Sequence, residues 1–314
     1  AHFGHAVICD DTGQIVKAWG DENLVTLPRS SVKMIQALPL VTSGAADAYG
    51  LTDRHLALSC ASHQGATVHT EYVCEWLTNL GLGDSDLRCG PQMPGDKTAR
   101  TALIKGDHTP CQWHNNCSGK HSGFLTVSKH LKTDAEYIEP DHPVQKAALE
   151  AFEVTTGAPS PGFGIDGCSA PNFAARLADI AKAMAWFASS ADRSDRASRA
   201  ASRLVDAMCA HSILVAGEGR PCTELMEAMG GRVAIKTGAE GFFVAILPKQ
   251  KWGIALKISD GGARASTCAM ATLLAEIGVL DRSHPIAMKY LETPVLNWRR
   301  MGTGHIRGAS VLSL

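Results

Sequence analysis

The chain has 314 residues, of which 45% are hydrophobic and 19% are charged, and its formal net charge is −1. This balance indicates a soluble globular chain without a nucleic-acid-binding or membrane-binding surface. The longest apolar stretches are far shorter than a membrane span. Ten cysteines at irregular spacings are typical of reduced thiols and not of a disulfide framework. We therefore expect a cytoplasmic protein.

The chain has β-type patterns near both ends. Residues 5–20 predict a β-hairpin around a turn at 10–13. Apolar residues at helical spacing then predict helices over 67–80, 142–155, 171–187 and 195–213. Three β-type runs follow at 232–236, 241–247 and 251–258, with connections short enough for antiparallel neighbours. A further helix is predicted over 263–277, and the last thirty residues predict irregular structure that wraps the surface or a partner subunit.

This order of elements predicts an α+β fold. An antiparallel sheet is built from N- and C-terminal strands and carries a large helical insert, which is the plan of the serine β-lactamase-like fold. We interpret residues 1–314 as a single domain. Its sheet part, with the closing helix, comprises 1–29 and 230–280, its mainly helical part comprises 30–229, and 281–314 form a C-terminal extension.

Ser30 and Lys33 lie three residues apart at a predicted helix start. Because positions i and i+3 share a helix face, Lys33 is placed to act as the base for the Ser30 hydroxyl. Lys236 opens a lysine-threonine-glycine run, and serine-lysine plus lysine-threonine-glycine is the set found in serine β-lactamases. A lysine can be a base at neutral pH only if burial or a second ammonium lowers its pKa from about 10.4. The alternative is a helix-capping serine followed by a surface lysine.

Two other kinds of segment are candidates for a site. Ser62 lies in a run of small polar residues, 59–65, that suits a tight turn at a ligand site or, alternatively, the N-cap of a helix beginning near Ala66. Cys117 and Cys168 each lie in a turn-rich segment. Two thiolates supply only half of a structural zinc site, which normally has four nitrogen or sulfur ligands. Buried, unreactive cysteines are therefore the other interpretation.

Six segments, taken in order, resemble the rhizobial-type (class 3) L-asparaginases. They are residues 28–40, 59–65, 114–123, 141–145, 164–168 and 236–241. The resemblance runs from His5 to about Arg307 and implies a β-lactamase- and glutaminase-like fold in a homodimer. It also implies hydrolysis of L-asparagine by two serine-lysine pairs, which match Ser30 with Lys33 and Ser62 with Lys236.

The same resemblance implies a zinc ion near the substrate. Its ligands match Cys117, Lys120 and Cys168. We expect the substrate to contact Arg29, His121, Asp166 and Gly167, with Arg29 at the α-carboxylate and Asp166 at the α-amino group. The expected reaction is hydrolysis of free L-asparagine through a serine acyl-enzyme, with Ser30 preferred to Ser62 as the nucleophile.

Two other functions remain open. One is a different hydrolase of the same fold, either a glutaminase, a β-lactamase or a peptidase. A β-lactam needs a long open groove, whereas asparagine needs a small closed pocket. The second is a catalytically silent zinc-binding or sensor protein on the same scaffold. A silent relative would be free to lose the four serine and lysine residues that this chain contains.

Overall fold

The computed structural model describes residues 1–312. Its strands are β1 (Gly4–Cys9), β2 (Ile15–Trp19), β3 (Val25–Thr26), β4 (Phe163–Ile165), β5 (Pro171–Phe173), β6 (Ala175–Arg176), β7 (Ala234–Thr237), β8 (Phe242–Leu247), β9 (Trp252–Ile258), β10 (Glu292–Leu296) and β11 (Gly302–Arg307). Its helices are α1 (Lys33–Thr42), α2 (Ala45–Ala48), α3 (Asp53–Ser59), α4 (Thr67–Asn79), α5 (Lys97–Lys105), α6 (Ser118–Leu131), α7 (Pro143–Thr156), α8 (Leu177–Ala188), α9 (Arg196–Ala210), α10 (Ser212–Val215), α11 (Pro221–Ala228), α12 (Ala263–Glu276) and α13 (Pro285–Leu291). Within residues 1–312, every helix is too short or too polar to cross a membrane.

The chain forms two compact units. The sheet unit comprises Ala1–Ser31, Ala175–Ser189 and Pro221–Leu314, and the helical unit comprises Val32–Ala174 and Ser190–Arg220. This division differs from the predicted one, which placed 175–189 and 221–229 in the helical part. The reason is that α8 packs on β1, β8 and β9, and α11 packs on β7.

The sheet unit is built on a five-stranded antiparallel sheet with the order β2-β1-β9-β8-β7. The N-terminal hairpin therefore pairs with the C-terminal strands through β1 and β9, as the sequence predicts. All six residues of β8 are buried. Because successive side chains of a strand point to opposite faces, both faces must be covered. Helices α8 and α12 both pack on β8 and β9.

We predict that Gly253→Ala will destabilise the protein. Gly253 lies in β9, where a Cβ atom would lie 2.1 Å from the Ala185 nitrogen and 2.2 Å from the Ala181 oxygen. Both are main-chain atoms of α8, so the helix would have to shift. Overpacking of this kind costs about 1–3 kcal/mol or more. Denaturant unfolding should show this loss for Gly253→Ala but not for Gly302→Ala, where an added Cβ meets nothing within 4 Å. Equal stability of the two variants would contradict the prediction.

The helical unit is organised around α1. Nine of its residues, from Lys33 to Val41, are buried, because α6, α7 and α9 all pack against it. Strands β4 and β5 form a two-stranded hairpin, with Ile165 opposite Pro171. The turn of this hairpin therefore carries residues 166–170, which include three of the predicted site residues, Asp166, Gly167 and Cys168.

Two sequence predictions are wrong. Residues 171–187 are not one helix, because β5 and β6 precede α8. The prediction failed since short apolar runs in buried strands cannot be distinguished from helix by spacing alone. The last thirty residues are not irregular, because β10 and β11 form an antiparallel hairpin after α13. The pattern of β10 is short, half exposed and interrupted by Pro294, and a proline inside a run weakens a strand prediction.

Candidate active site

Lys33 is the first residue of α1 and is only 1% exposed. Its Nζ donates hydrogen bonds to the main-chain oxygen of Ala61 and to the Cys117 sulfur, the latter at 3.2 Å. The alternative of a surface lysine is therefore wrong. Directly before α1 lies the 3-10 segment Arg29–Val32, which contains the half-buried Ser30. The hydroxyl of the next residue, Ser31, donates to the Pro28 oxygen at 2.7 Å. The N-cap of α1 is Val32, so Ser30 is not a helix cap.

Ser62 lies in the segment between α3 and α4, which is held by main-chain hydrogen bonds. The Ser62 nitrogen donates to the Val215 oxygen at 2.9 Å, and the His63 nitrogen donates to the Asn116 oxygen at 3.2 Å. The N-cap of α4 is Ala66, which makes no side-chain cap. The alternative of an ordinary serine N-cap is therefore wrong. In this segment, the main-chain oxygen of Ala61 accepts a hydrogen bond from the Lys33 Nζ.

The helical unit brings Cys117, Lys120 and Cys168 together. Cys117 precedes α6, Lys120 lies in its first turn, and Cys168 lies in the turn between β4 and β5. The Lys120 Nζ donates to the Cys168 sulfur at 3.1 Å, and the Cys117 thiol, which donates to the Asn116 Oδ1 at 2.8 Å, is close enough to Cys168 for each thiol to shift the pKa of the other. All three side chains are buried. Residues separated by up to 51 positions thus form one cluster, which we call the thiol-lysine cluster, with Lys33 at its edge.

The pKa values of the two thiols in the thiol-lysine cluster are shifted in opposite directions. The adjacent Cys117 side chain and the nearby Lys120 ammonium hold the pKa of Cys168 well below its ordinary value, although burial acts in the opposite direction. The adjacent Cys168 side chain, together with burial, raises the pKa of Cys117. Burial disfavours the charge of Lys120, but the two sulfurs beside it raise its pKa. These directions favour negative charge on Cys168 over Cys117, beside the Lys120 side chain.

The remaining predicted residues of the helical unit differ in exposure. Asp166 is half-buried in the β4–β5 turn, accepts a hydrogen bond from the Gly167 nitrogen at 2.8 Å, and is close enough to Lys120 to contribute to its raised pKa. Gly167 is exposed. His121 is fully buried, and its Nδ1 lies 2.9 Å from the hydroxyl of Tyr137. The sequence analysis did not identify Tyr137, which belongs to no motif.

In the sheet unit, Arg29 forms an ion pair with Glu240 at 2.5 Å. Both residues have left-handed backbone conformations, with φ of 56° and 57°. Such conformations are uncommon for residues other than glycine and cluster at functional sites. Arg29 was predicted as a substrate contact, whereas its partner Glu240 was missed. The guanidinium of Arg29 thus contacts the carboxylate of Glu240.

Lys236 lies in β7 and is 1% exposed. Its Nζ donates to the main-chain oxygen of Thr237 at 2.7 Å, and the Thr237 nitrogen donates to the Cys222 sulfur at 3.3 Å. The sheet and helical units thus each contain one deeply buried lysine of the two predicted serine-lysine pairs.

The thiol-lysine cluster has the donor atoms of a zinc site with three protein ligands. Among residues 1–312, no group of three or more His, Cys, Asp or Glu side chains is arranged to hold a metal, so the Lys120 amine would have to be the third ligand. Zinc with sulfur and nitrogen ligands in tetrahedral geometry would hold them about 3.6 Å apart. The Nζ–Sγ distance of 3.1 Å differs from that by about half an ångström. The residues therefore fit the metal once Lys120 loses its proton.

Comparisons with known proteins agree with this architecture. A family model described as L-asparaginase II matches residues 1–308. Among solved structures, Mglu in its native form is similar at a TM-score of 0.50 and 13% identity, covering 90% of this chain and 66% of that chain. Mglu in its tris and glutamate form matches with the same TM-score and identity, covering 90% and 60% of the two chains. A β-lactamase from Mycobacterium bovis has a TM-score of 0.44 at 14% identity, covering 83% and 88%.

These likenesses differ in what they establish. At 13% identity, the Mglu structures show the fold alone, and they confirm the predicted α+β, serine β-lactamase-like class. The chain spans only 60–66% of the Mglu chains that it matches. No match was found among curated proteins.

Proposed function

The chain belongs to the L-asparaginase II family, a family of amide hydrolases, and we propose that it hydrolyses free L-asparagine to L-aspartate and ammonia. The observation that best supports this is the environment of Lys33. A lysine that follows Ser30 by three residues is buried against a carbonyl oxygen and a thiol instead of extending into solvent. A silent binding protein would have no need to bury that amine beside the thiol-lysine cluster.

In the proposed reaction, Lys33 takes the proton of the Ser30 hydroxyl as its oxygen attacks the side-chain amide carbon. Main-chain N–H groups at Ser30 and after Lys236 stabilise the oxyanion. The pair Ser62 and Lys236 delivers a proton to the leaving nitrogen, which departs as ammonia. Water then hydrolyses the aspartyl ester and regenerates Ser30. Zinc bound by Cys117, Lys120 and Cys168 would supply a Lewis acid near the substrate.

Arg29 and Asp166 are proposed to bind the two charged groups of the amino acid. The ion pair between Arg29 and Glu240 supports the first role, because it shows the guanidinium in contact with a carboxylate, which the substrate α-carboxylate would replace. Guanidinium groups bind carboxylates with well-defined geometry. Asp166 is half-buried and is proposed to accept hydrogen bonds from the α-ammonium group.

These two contacts predict selectivity for the length of the substrate. Glutamine has one additional methylene, which would move its amide carbon past Ser30 while both ends of the amino acid are held. A displacement of about 1 Å can cost on the order of 100-fold in rate. We expect kcat/KM for L-asparagine to exceed that for L-glutamine by about this factor, and N-acetyl-asparagine to be a poor substrate. Ammonia release from these three compounds tests the proposal.

The outcomes of that assay separate the alternatives. Equal use of all three compounds would favour a general amidase, and a preference for L-glutamine would favour a glutaminase. Turnover of a chromogenic β-lactam in place of asparagine would favour a β-lactamase. Asp166→Ala should raise KM for L-asparagine far more than it lowers the free energy of unfolding, whereas Asp141→Ala, at an exposed carboxylate paired with Lys146, should change neither.

The predicted homodimer and the predicted cytoplasmic location stay predictions, which rest on the family resemblance and on composition. The proposed ligand is the small-molecule substrate L-asparagine.

A further inference from the structure

A hydrogen-bonded chain leads from the main chain at Arg88 to the thiol-lysine cluster. The Arg88 nitrogen donates to the Tyr137 hydroxyl at 2.7 Å, and the Tyr137 hydroxyl lies 2.9 Å from Nδ1 of His121. Tyr137 and His121 are both fully buried. His121 immediately follows Lys120 in α6, so the chain ends beside the cluster.

The directions of these hydrogen bonds follow from the donors. A main-chain N–H can only donate, so the Tyr137 oxygen accepts from Arg88 and uses its own hydrogen elsewhere. Burial raises the pKa of the Tyr137 phenol above its ordinary value, which keeps that hydrogen in place. The phenol therefore donates to Nδ1 of His121, and the proton of the neutral imidazole lies on Nε2.

The other ring nitrogen of His121 completes the argument. Nε2 is buried and has no hydrogen-bond partner within the described part of the chain. Since Nδ1 accepts a hydrogen bond from the phenol, the ring hydrogen lies on Nε2, and Cys168 is close enough to interact with this ring. A buried donor without a partner is costly. The nearby sulfur of Cys168 is an acceptor that this N–H can serve.

We propose that Tyr137 and His121 are positioning residues for the metal site: Tyr137 fixes the ring of His121 so that its Nε2–H is directed at the sulfur of Cys168, one of the three zinc ligands. This inference rests on the proposed zinc site. It assigns His121 a role on the metal ligand in place of the substrate contact expected from the sequence. Hydrogen bonds from outside the ligand set orient metal ligands, and their loss lowers metal affinity by about 10–100-fold.

The test measures zinc affinity directly, by competition with a chromophoric chelator on the purified full chain. Tyr137→Phe removes only the hydroxyl and should weaken zinc binding by about 10–100-fold. His121→Phe removes the donor and should do the same. His121→Gln replaces Nε2 by an amide N–H at a similar distance from the backbone and should restore part of the affinity. In the cobalt-substituted protein, Tyr137→Phe should also shift the thiolate-to-metal absorption band.

Ser122→Ala is the matched control, because Ser122 is also buried in α6 but its hydroxyl donates to the Ser118 oxygen at 2.9 Å. It should leave zinc affinity and the cobalt spectrum unchanged. Wild-type affinity in both Tyr137→Phe and His121→Phe would overturn the inference while leaving the zinc site intact. A wild-type protein that binds no zinc would overturn the zinc site itself. Asparagine hydrolysis, measured separately, reports on the proposed reaction.

Discussion

Replacing Ser30 by alanine is expected to lower kcat/KM for L-asparagine by about four orders of magnitude or more. The serine hydroxyl is the proposed nucleophile, and without its oxygen no acyl-enzyme can form. Lys33→Met should have an effect of similar size, because the proton of Ser30 would lose its acceptor. The double variant should have nearly the same kcat/KM as either single variant. When two residues act as one unit, removing the first already abolishes the contribution of both. Ammonia release measures all three.

The neighbouring Ser31 supplies the control for this experiment. Ser31 is fully buried, and its hydroxyl donates to the Pro28 oxygen at 2.7 Å. Ser31→Ala should therefore cost about 1 kcal/mol of stability but leave kcat/KM close to that of the wild type. Near-normal turnover by a folded Ser30→Ala variant would refute Ser30 as the nucleophile and would favour Ser62.

Loss of the two thiols is expected to abolish zinc binding. Cys117→Ser combined with Cys168→Ser leaves Lys120 as the only nitrogen or sulfur ligand of the proposed set, and a single amine cannot hold zinc. Metal analysis of the purified variant should find its zinc content near zero. Cys209→Ser in α9, outside the cluster, should retain the metal content of the wild type. Full zinc content in the double variant would place the metal elsewhere.

Elements of the fold could be predicted where a periodic pattern of apolar residues extended over many residues, or where short β-type runs were bounded by turns. The N-terminal hairpin and the strands β7, β8 and β9 lie where the sequence predicts them, and α12 ends within one residue of its predicted end. The failure at 171–187 has a physical cause. Residues 171–173 pair with the nearby β4, and residues 175–176 pair with β3, which is distant in sequence. Short apolar runs of this kind cannot be told from helix by local spacing.

Site residues that lie in sequence motifs could be predicted, whereas residues that join the site only through tertiary contacts could not. The family resemblance implied that Cys117, Lys120 and Cys168 act together, although their spacing alone did not, and the structure brings them into one buried cluster. Tyr137 could not be found in this way, because it reaches His121 only through the packing of the segment that follows α6. Glu240 is part of a recognised motif, but its pairing with Arg29, 211 residues away, depends on the sheet unit being folded.

Hydrolysis of L-asparagine by the purified wild-type chain tests the central claim most directly. The measurement is the release of ammonia and L-aspartate from L-asparagine, with the Ser30→Ala variant assayed in parallel. The proposal predicts that the wild type releases both products in equal amounts, and that Ser30→Ala releases neither above background. A folded, zinc-loaded wild-type protein that releases no ammonia from L-asparagine would contradict it.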